Sequence, residues 1–258
     1  MTTGSRPVGL TIAAGVAFVW MLPLLYLGQV SLSRGGLDNY ATVLSTQGLG
    51  RYVLNSAIVT ICAIVIVVVF GSAAAFAFSL LRFRGRTAIY VLLLSGLMLP
   101  TAAVLVPLTQ IHSLLGWANT YQGLFVPYAA LALPFGLVLL KNTYDALPHE
   151  LHEAAAVDGA SHARVFWQVF FPLTIPTVIM VALWTFLSSW NEFLLALMFM
   201  ATDDMKTVTV VPTSFQLQFF VDVPKIFASL VLIQLPIIAL YALMQRRFER
   251  GIVAGAVK

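Results

Sequence analysis

The sequence predicts an all-α integral membrane protein. It has six transmembrane helices, both termini in the cytoplasm, and one short cytoplasmic helix between the fourth and fifth spans. Three observations carry this. Hydrophobic residues make up 60% of the 258 positions and charged residues only 9%, against roughly 45–50% and 25% in soluble domains. The few charges bound apolar runs long enough to cross a bilayer. The basic residues, finally, gather in alternate loops. A formal charge of +4 on so apolar a chain reads as membrane orientation, not as a nucleic-acid footprint.

A helix crossing about 30 Å of hydrocarbon needs roughly 20 apolar residues. Twenty-seven uncharged residues lie between Arg6 and Arg34, and 30 between Arg51 and Arg82. Arg86 to Lys141 leaves 54, enough for two spans, with a polar turn near Gln110, His112, Gly116, Asn119, Thr120 and Gln122. From Arg164 to Glu192 there are 27 and from Lys225 to Arg246 there are 20. The expected spans are 8–29, 54–80, 88–111, 120–140, 173–199 and 226–245, forming one transmembrane domain over 1–258. The first apolar stretch is longer than the roughly 7–15 residues of a signal-peptide core and is read as a retained anchor. Pro23, Pro100, Pro107, Pro127, Pro134, Pro176 and Pro236 fall inside these spans, where each removes a backbone hydrogen bond. Such broken helices suit a moving transporter.

Six spans put both termini on one side. That side carries Arg6, Arg82, Arg84, Arg86, Lys141, Arg164, Arg246, Arg247, Arg250 and Lys258, ten of the fourteen basic residues, and is therefore cytoplasmic. Cys62, the single cysteine, sits in an apolar run and forms no internal disulfide.

The 141–172 loop is the longest cytoplasmic connection. Pro148 suits a first helical turn, Glu150 and Glu153 complement the helix N-terminus, and Gly159 is a natural stop. The result is a short helix over 148–158, with Leu151, Ala154, Ala155 and Val157 beside charged positions. Physics alone leaves two uses open: docking another protein, with the paired alanines allowing close approach, or lying on the headgroups.

Within this loop Glu153-Ala154-Ala155, three residues, Gly159, nine residues, then Val169-x-Phe171-Pro172 closely resembles the EAA loop of bacterial ABC-importer permeases. Val169 and Phe171 replace the usual Ile and Leu. Leu147-Pro148-x-Glu150-Leu151, Asp158-Gly159-Ala160, Trp190-Asn191-Glu192-Phe193 and the terminal Gly255-Ala256-Val257-Lys258 are similar to the carbohydrate branch, specifically its smaller maltose-type subunit. The resemblance implies a permease of a bacterial inner membrane. It would form half of a path for a sugar or related polar solute, beside a second homologous permease, a cytoplasmic ATPase dimer and an extracytoplasmic binding protein. Glu150, Glu153, Ala154, Ala155, Asp158 and Gly159 would then couple to the ATPase. Arg246, Arg247, Arg250 and Lys258 would reach toward it, and the 200–225 loop, with Asp203, Asp204 and Asp222, would face the binding protein.

No enzyme activity is expected of the chain itself. A phosphate-wrapping loop needs Gly before its Lys, whereas Lys141, Lys206, Lys225 and Lys258 follow Leu140, Met205, Pro224 and Val257. ATP and Mg²⁺ would be bound by the partner ATPase, and no cofactor is expected here. His149-Glu150-Leu151-His152-Glu153 places its histidines at i and i+3, not at the i and i+4 of a zincin helix, so no metal site is expected.

Glu192 is the acidic residue inside a span, a position that is costly and often functional. Two readings stand: with Asn191 it lines the translocation path, or it is satisfied locally by Ser188, Ser189 or Asn191. Trp184 and Trp190 read as packing or interfacial residues. A self-contained secondary carrier is the alternative function. One intramembrane carboxylate, no evident internal repeat and only six spans count against it.

Overall fold

The computed structural model describes residues 5–148, 150–217 and 220–256. It is mostly helical, and its backbone divides into two compact units, residues 1–49 with 210–247, and residues 50–209 with 248–258.

In the first unit, α1 (Ser5–Ser31) and α2 (Asp38–Leu44) are joined by a turn in which Arg34 takes a left-handed φ of 61°. Asn39 holds that turn, its amide donating to the carbonyls of Ser31 and Ser33 at 2.9 and 3.0 Å. A two-residue hairpin, β1 (Gln216–Leu217) and β2 (Phe220–Val221), pairs Gln216 with Val221 and Leu217 with Phe220. It leads into α12 (Val223–Ala256), whose Phe227 meets Tyr26 of α1 edge-on at 6.3 Å. Asp222 caps the start of α12 and pairs with Lys225 at 2.7 Å, which holds its carboxyl below the usual carboxylate range.

The second unit is built on α3 (Leu49–Leu80), α6 (Gln122–Asp145) and α10 (Ile175–Trp190). Where they cross, Val67, Leu137 and Val181 are fully buried. Gly136 makes the crossing possible: a Cβ there would lie 2.9 Å from a Val181 methyl and 3.2 Å from one of Val67. Close-packed helices of this kind rely on small residues at the contact.

Among the described residues, four helices are long and apolar enough to cross a membrane: Ala13–Ser31, Leu49–Leu80, Gln122–Asp145 and Val223–Leu243. They cover the first, second, fourth and sixth expected spans. The other two expectations need correction. The span placed at 88–111 is two segments, α4 (Arg86–Ser95) with a following 3-10 turn (Gly96–Met98), and α5 (Thr101–Leu115), meeting at 109°. Pro100 is the cause. It bars the helical region to the residue before it, and Leu99 is accordingly extended at φ −86°, ψ 110°. Thirteen residues, Arg86–Met98, reach only about 20 Å as a helix, short of the hydrocarbon thickness.

The span placed at 173–199 is likewise broken at both ends. A rising segment made of α8 (His162–Val165), a π turn (Phe166–Phe170) and α9 (Phe171–Leu173) meets α10 at 78°. Pro176 has no N–H to give to the carbonyl of Pro172, and Thr174 at the corner turns its hydroxyl to the Phe171 carbonyl instead. At its far end α10 stops at Trp190, and a separate helix, α11 (Leu194–Phe199), follows. Six spans are reached if each bent pair counts as one. By contrast Pro23, Pro107, Pro127, Pro134 and Pro236 sit inside unbroken helices.

Candidate functional site

The break after α10 is organised by Glu192. Its carboxylate turns back on the chain and caps the N-terminus of α11. Oε1 accepts from the backbone N–H groups of Leu194 and Leu195 at 3.0 and 3.1 Å, and Oε2 from those of Leu195 and Ala196 at 3.0 and 3.3 Å. The Tyr128 hydroxyl donates to Oε2 at 2.9 Å. A negative group at a helix start complements both its unpaired donors and its dipole. Two of the three local partners expected from sequence, Ser188 and Asn191, are engaged elsewhere. Ser188 donates to the Trp184 and Thr185 carbonyls, and the Asn191 amide closes on the Leu187 carbonyl at 2.9 Å. Tyr128, 64 positions away on α6, is the partner that sequence reasoning missed. Its usable signal was a phenol in an otherwise apolar span, which needs a partner when buried.

Beside this cap lies a recess of about 160 Å³, open on one side. Its polar wall is Thr101, Tyr128, Ser188, Ser189 and Glu192, with the Trp184 indole, and Leu131 and Ala132 complete it. Asn191 is not among the lining residues and is exposed beside them. Trp184 is 46% exposed and is backed by Phe135 at 4.5 Å, whereas Trp190 is buried and stacked on Phe186.

A second set of contacts, unread in the sequence, fixes the start of the 200–225 loop. Asn119, left-handed at φ 57°, accepts through Oδ1 from the backbone of Ala201 and Thr202. Asn55 donates to the carbonyls of Asp204 and Lys206, and its own oxygen accepts from the Tyr121 hydroxyl. A 3-10 helix (Val208–Phe215) follows. These are asparagines in apolar or turn positions, and nothing in their local sequence names partners 66 to 151 residues distant.

In the connection between α6 and α8, α7 (Glu150–Val157) is a two-turn helix. It ends in a Schellman motif: Gly159 at φ 70° lets the Ala160 N–H reach the Ala155 carbonyl at 3.0 Å. Glu150, Glu153, Ala154 and Val157 are exposed, at the i, i+3, i+4, i+7 spacing of one helix face, with Val157 88% accessible; Leu151 and Ala155 are half-buried. Asp158 and Gly159 are exposed beyond them. An aromatic cluster lies under the loop: Phe76 of α3 packs edge-on against Tyr144 of α6 and against Phe166 and Phe170 of the π turn, at 5.3–6.1 Å. His152 stacks on His162 at 5.8 Å, and His149 lies outside the described residues. So does Lys258, while Arg246, Arg247 and Arg250 fall on α12 where side chains are not described.

Residues 67–254 match the family model described as binding-protein-dependent transport system inner membrane component. The chain belongs to this family: it is a permease subunit of an ABC importer. Among its relatives, the osmoprotective compounds uptake permease protein GgtD of Synechocystis is 34% identical, over 94% of this chain and 89% of its own. The trehalose/maltose transport system permease protein MalG of Thermococcus litoralis is 33% identical, over 93% and 90%. The fold matches a chain of a bacterial ABC transporter that imports the acidic polysaccharide alginate, with a TM-score of 0.80 at 20% identity over 96% of this chain and 99% of that one.

Proposed function

We propose that this chain, as one domain over 1–258, forms half of the translocation path of a sugar importer and receives its driving force through α7. The observation that carries this is the exposed α7 stripe of Glu150, Glu153, Ala154 and Val157, closed by the Gly159 turn. Helices that lie on headgroups carry basic residues on the polar face, and the cytoplasmic leaflet is negative. A face with two carboxylates and no cation suits a protein cleft better than a lipid surface. Ala154 lets that cleft approach the backbone, and Val157 gives up its exposed apolar surface on docking.

The docking partner is a cytoplasmic ATPase dimer, which binds ATP and Mg²⁺ and performs the hydrolysis. A second homologous permease completes the path, an extracytoplasmic binding protein delivers the solute to the side of the 200–225 loop, and both termini of this chain are cytoplasmic in a bacterial inner membrane. The basic tail, Arg246, Arg247, Arg250 and Lys258, extends toward the ATPase. The names of full-length relatives, trehalose/maltose among them, support a sugar or related polar solute.

Deleting 150–160, or changing Gly159→Trp, abolishes co-purification of the ATPase while the chain still inserts in the membrane. Co-purification that survives both changes refutes the assignment of α7.

A further inference from the structure

The recess beside Glu192 has a chemistry that the capping role alone does not explain. Ser189 is 6% exposed, and its hydroxyl has no hydrogen-bond partner. Buried hydroxyls are almost always paired, so an unpaired one on a residue that lines a cavity marks a place for a ligand group or an ordered water. Ser188 uses its proton on its own helix and keeps lone pairs to accept with. The Tyr128 hydroxyl donates to Glu192, so its free lone pair also accepts. Against these stands an indole nearly half open, steadied from behind by Phe135.

We infer that this recess is a contact subsite for one ring of a neutral polyhydroxylated solute on this subunit, Trp184 stacking against the ring's C–H face while Ser188, Ser189 and Tyr128 exchange hydrogen bonds with its hydroxyls. The inference rests on the importer reading above and specifies where that solute touches this chain. Glu192 is a positioning residue in it. Five contacts already occupy its two oxygens, close to the capacity of a carboxylate, and it works by orienting the Tyr128 hydroxyl. Acidic solutes are excluded on charge, because no Lys, Arg or His is among the described lining residues and a carboxylate is. The volume accommodates several water molecules, the scale of a single sugar unit and not of an oligosaccharide. Its apolar fraction, Leu131 and Ala132, matches the mixed lining of small-molecule sites.

The test uses the assembled complex in detergent without its binding protein. Saturation-transfer NMR is recorded with glucose, maltose, trehalose, sucrose and mannitol, and with glucuronate as the acidic control. At least one neutral compound gives transfer to its C–H protons and glucuronate gives none. Ser189→Ala, which removes an unpaired hydroxyl and so leaves folding intact, weakens that binding about three- to tenfold, and Trp184→Ala weakens it roughly tenfold or more. Absence of transfer from every neutral compound, binding indifferent to both substitutions, or equal binding of glucuronate overturns the subsite. ATPase co-purification is followed in the same samples. Its presence alongside such a result removes the subsite alone, whereas its loss in the unmodified complex removes the importer reading beneath it.

Discussion

Glu192 shows how a single residue was half legible. A lone carboxylate in an apolar stretch declares itself from sequence, since its insertion costs roughly 2.5–3.5 kcal/mol at a bilayer centre. What it does there depends on where the helix stops, and that is a tertiary matter. The chain breaks at Trp190 and restarts at Leu194, so the carboxylate meets orphaned N–H groups instead of the Ser188 and Ser189 side chains next to it in sequence. Glu192→Gln puts an amide donor where an acceptor is needed. It is expected to lower the stability of the purified chain by about 1–3 kcal/mol, read as a fall in Tm. Tyr128→Phe, which removes a single bond to the same carboxylate, costs less, roughly 1 kcal/mol. A Gln variant as stable as the native chain contradicts the capping role, and unchanged transport by a complex carrying it contradicts any part in the path.

Elements were legible wherever length and apolarity settle the matter, as in α1, α3, α6 and α12. The two misread spans share a cause. Both were placed by counting uncharged residues, and charge spacing cannot tell a straight helix from one folded at a proline. Of seven prolines noted in the spans, Pro100 and Pro176 break the chain, whereas Pro127 and Pro134 lie within α6. The short helix of the 141–172 loop was legible to within two residues because its signals, Pro148, paired glutamates and Gly159, are local. Packing of the long helices was not: Gly136 carries no mark in sequence that α3 and α10 converge on it. Gly136→Ala forces a methyl to within 2.9 Å of Val181 and is expected to destabilise by about 1–3 kcal/mol. The double variant Gly136→Ala, Val181→Ala recovers part of that loss. Thermal unfolding in detergent checks both, and additivity of the two changes would deny the contact.

At the scale of the whole molecule, composition settled the class: 24 charged residues cannot clothe a soluble chain of this size. The EAA-type spacing in the 141–172 loop then pointed to the family, and the family match over residues 67–254 secured it. A subunit of this kind is a machine part. Among its described residues it has an exposed face on α7, a ring cluster shared by α3, α6 and the π turn, and a polar recess at the break in α10. None of these makes a transporter alone, and uptake into proteoliposomes tests that most directly. Full complexes with ATP inside and sugar-loaded binding protein outside accumulate solute, and vesicles holding this chain alone accumulate none, with or without a proton gradient. Uptake by the lone chain, driven by the gradient and indifferent to ATP, would contradict the importer reading and establish a self-contained carrier.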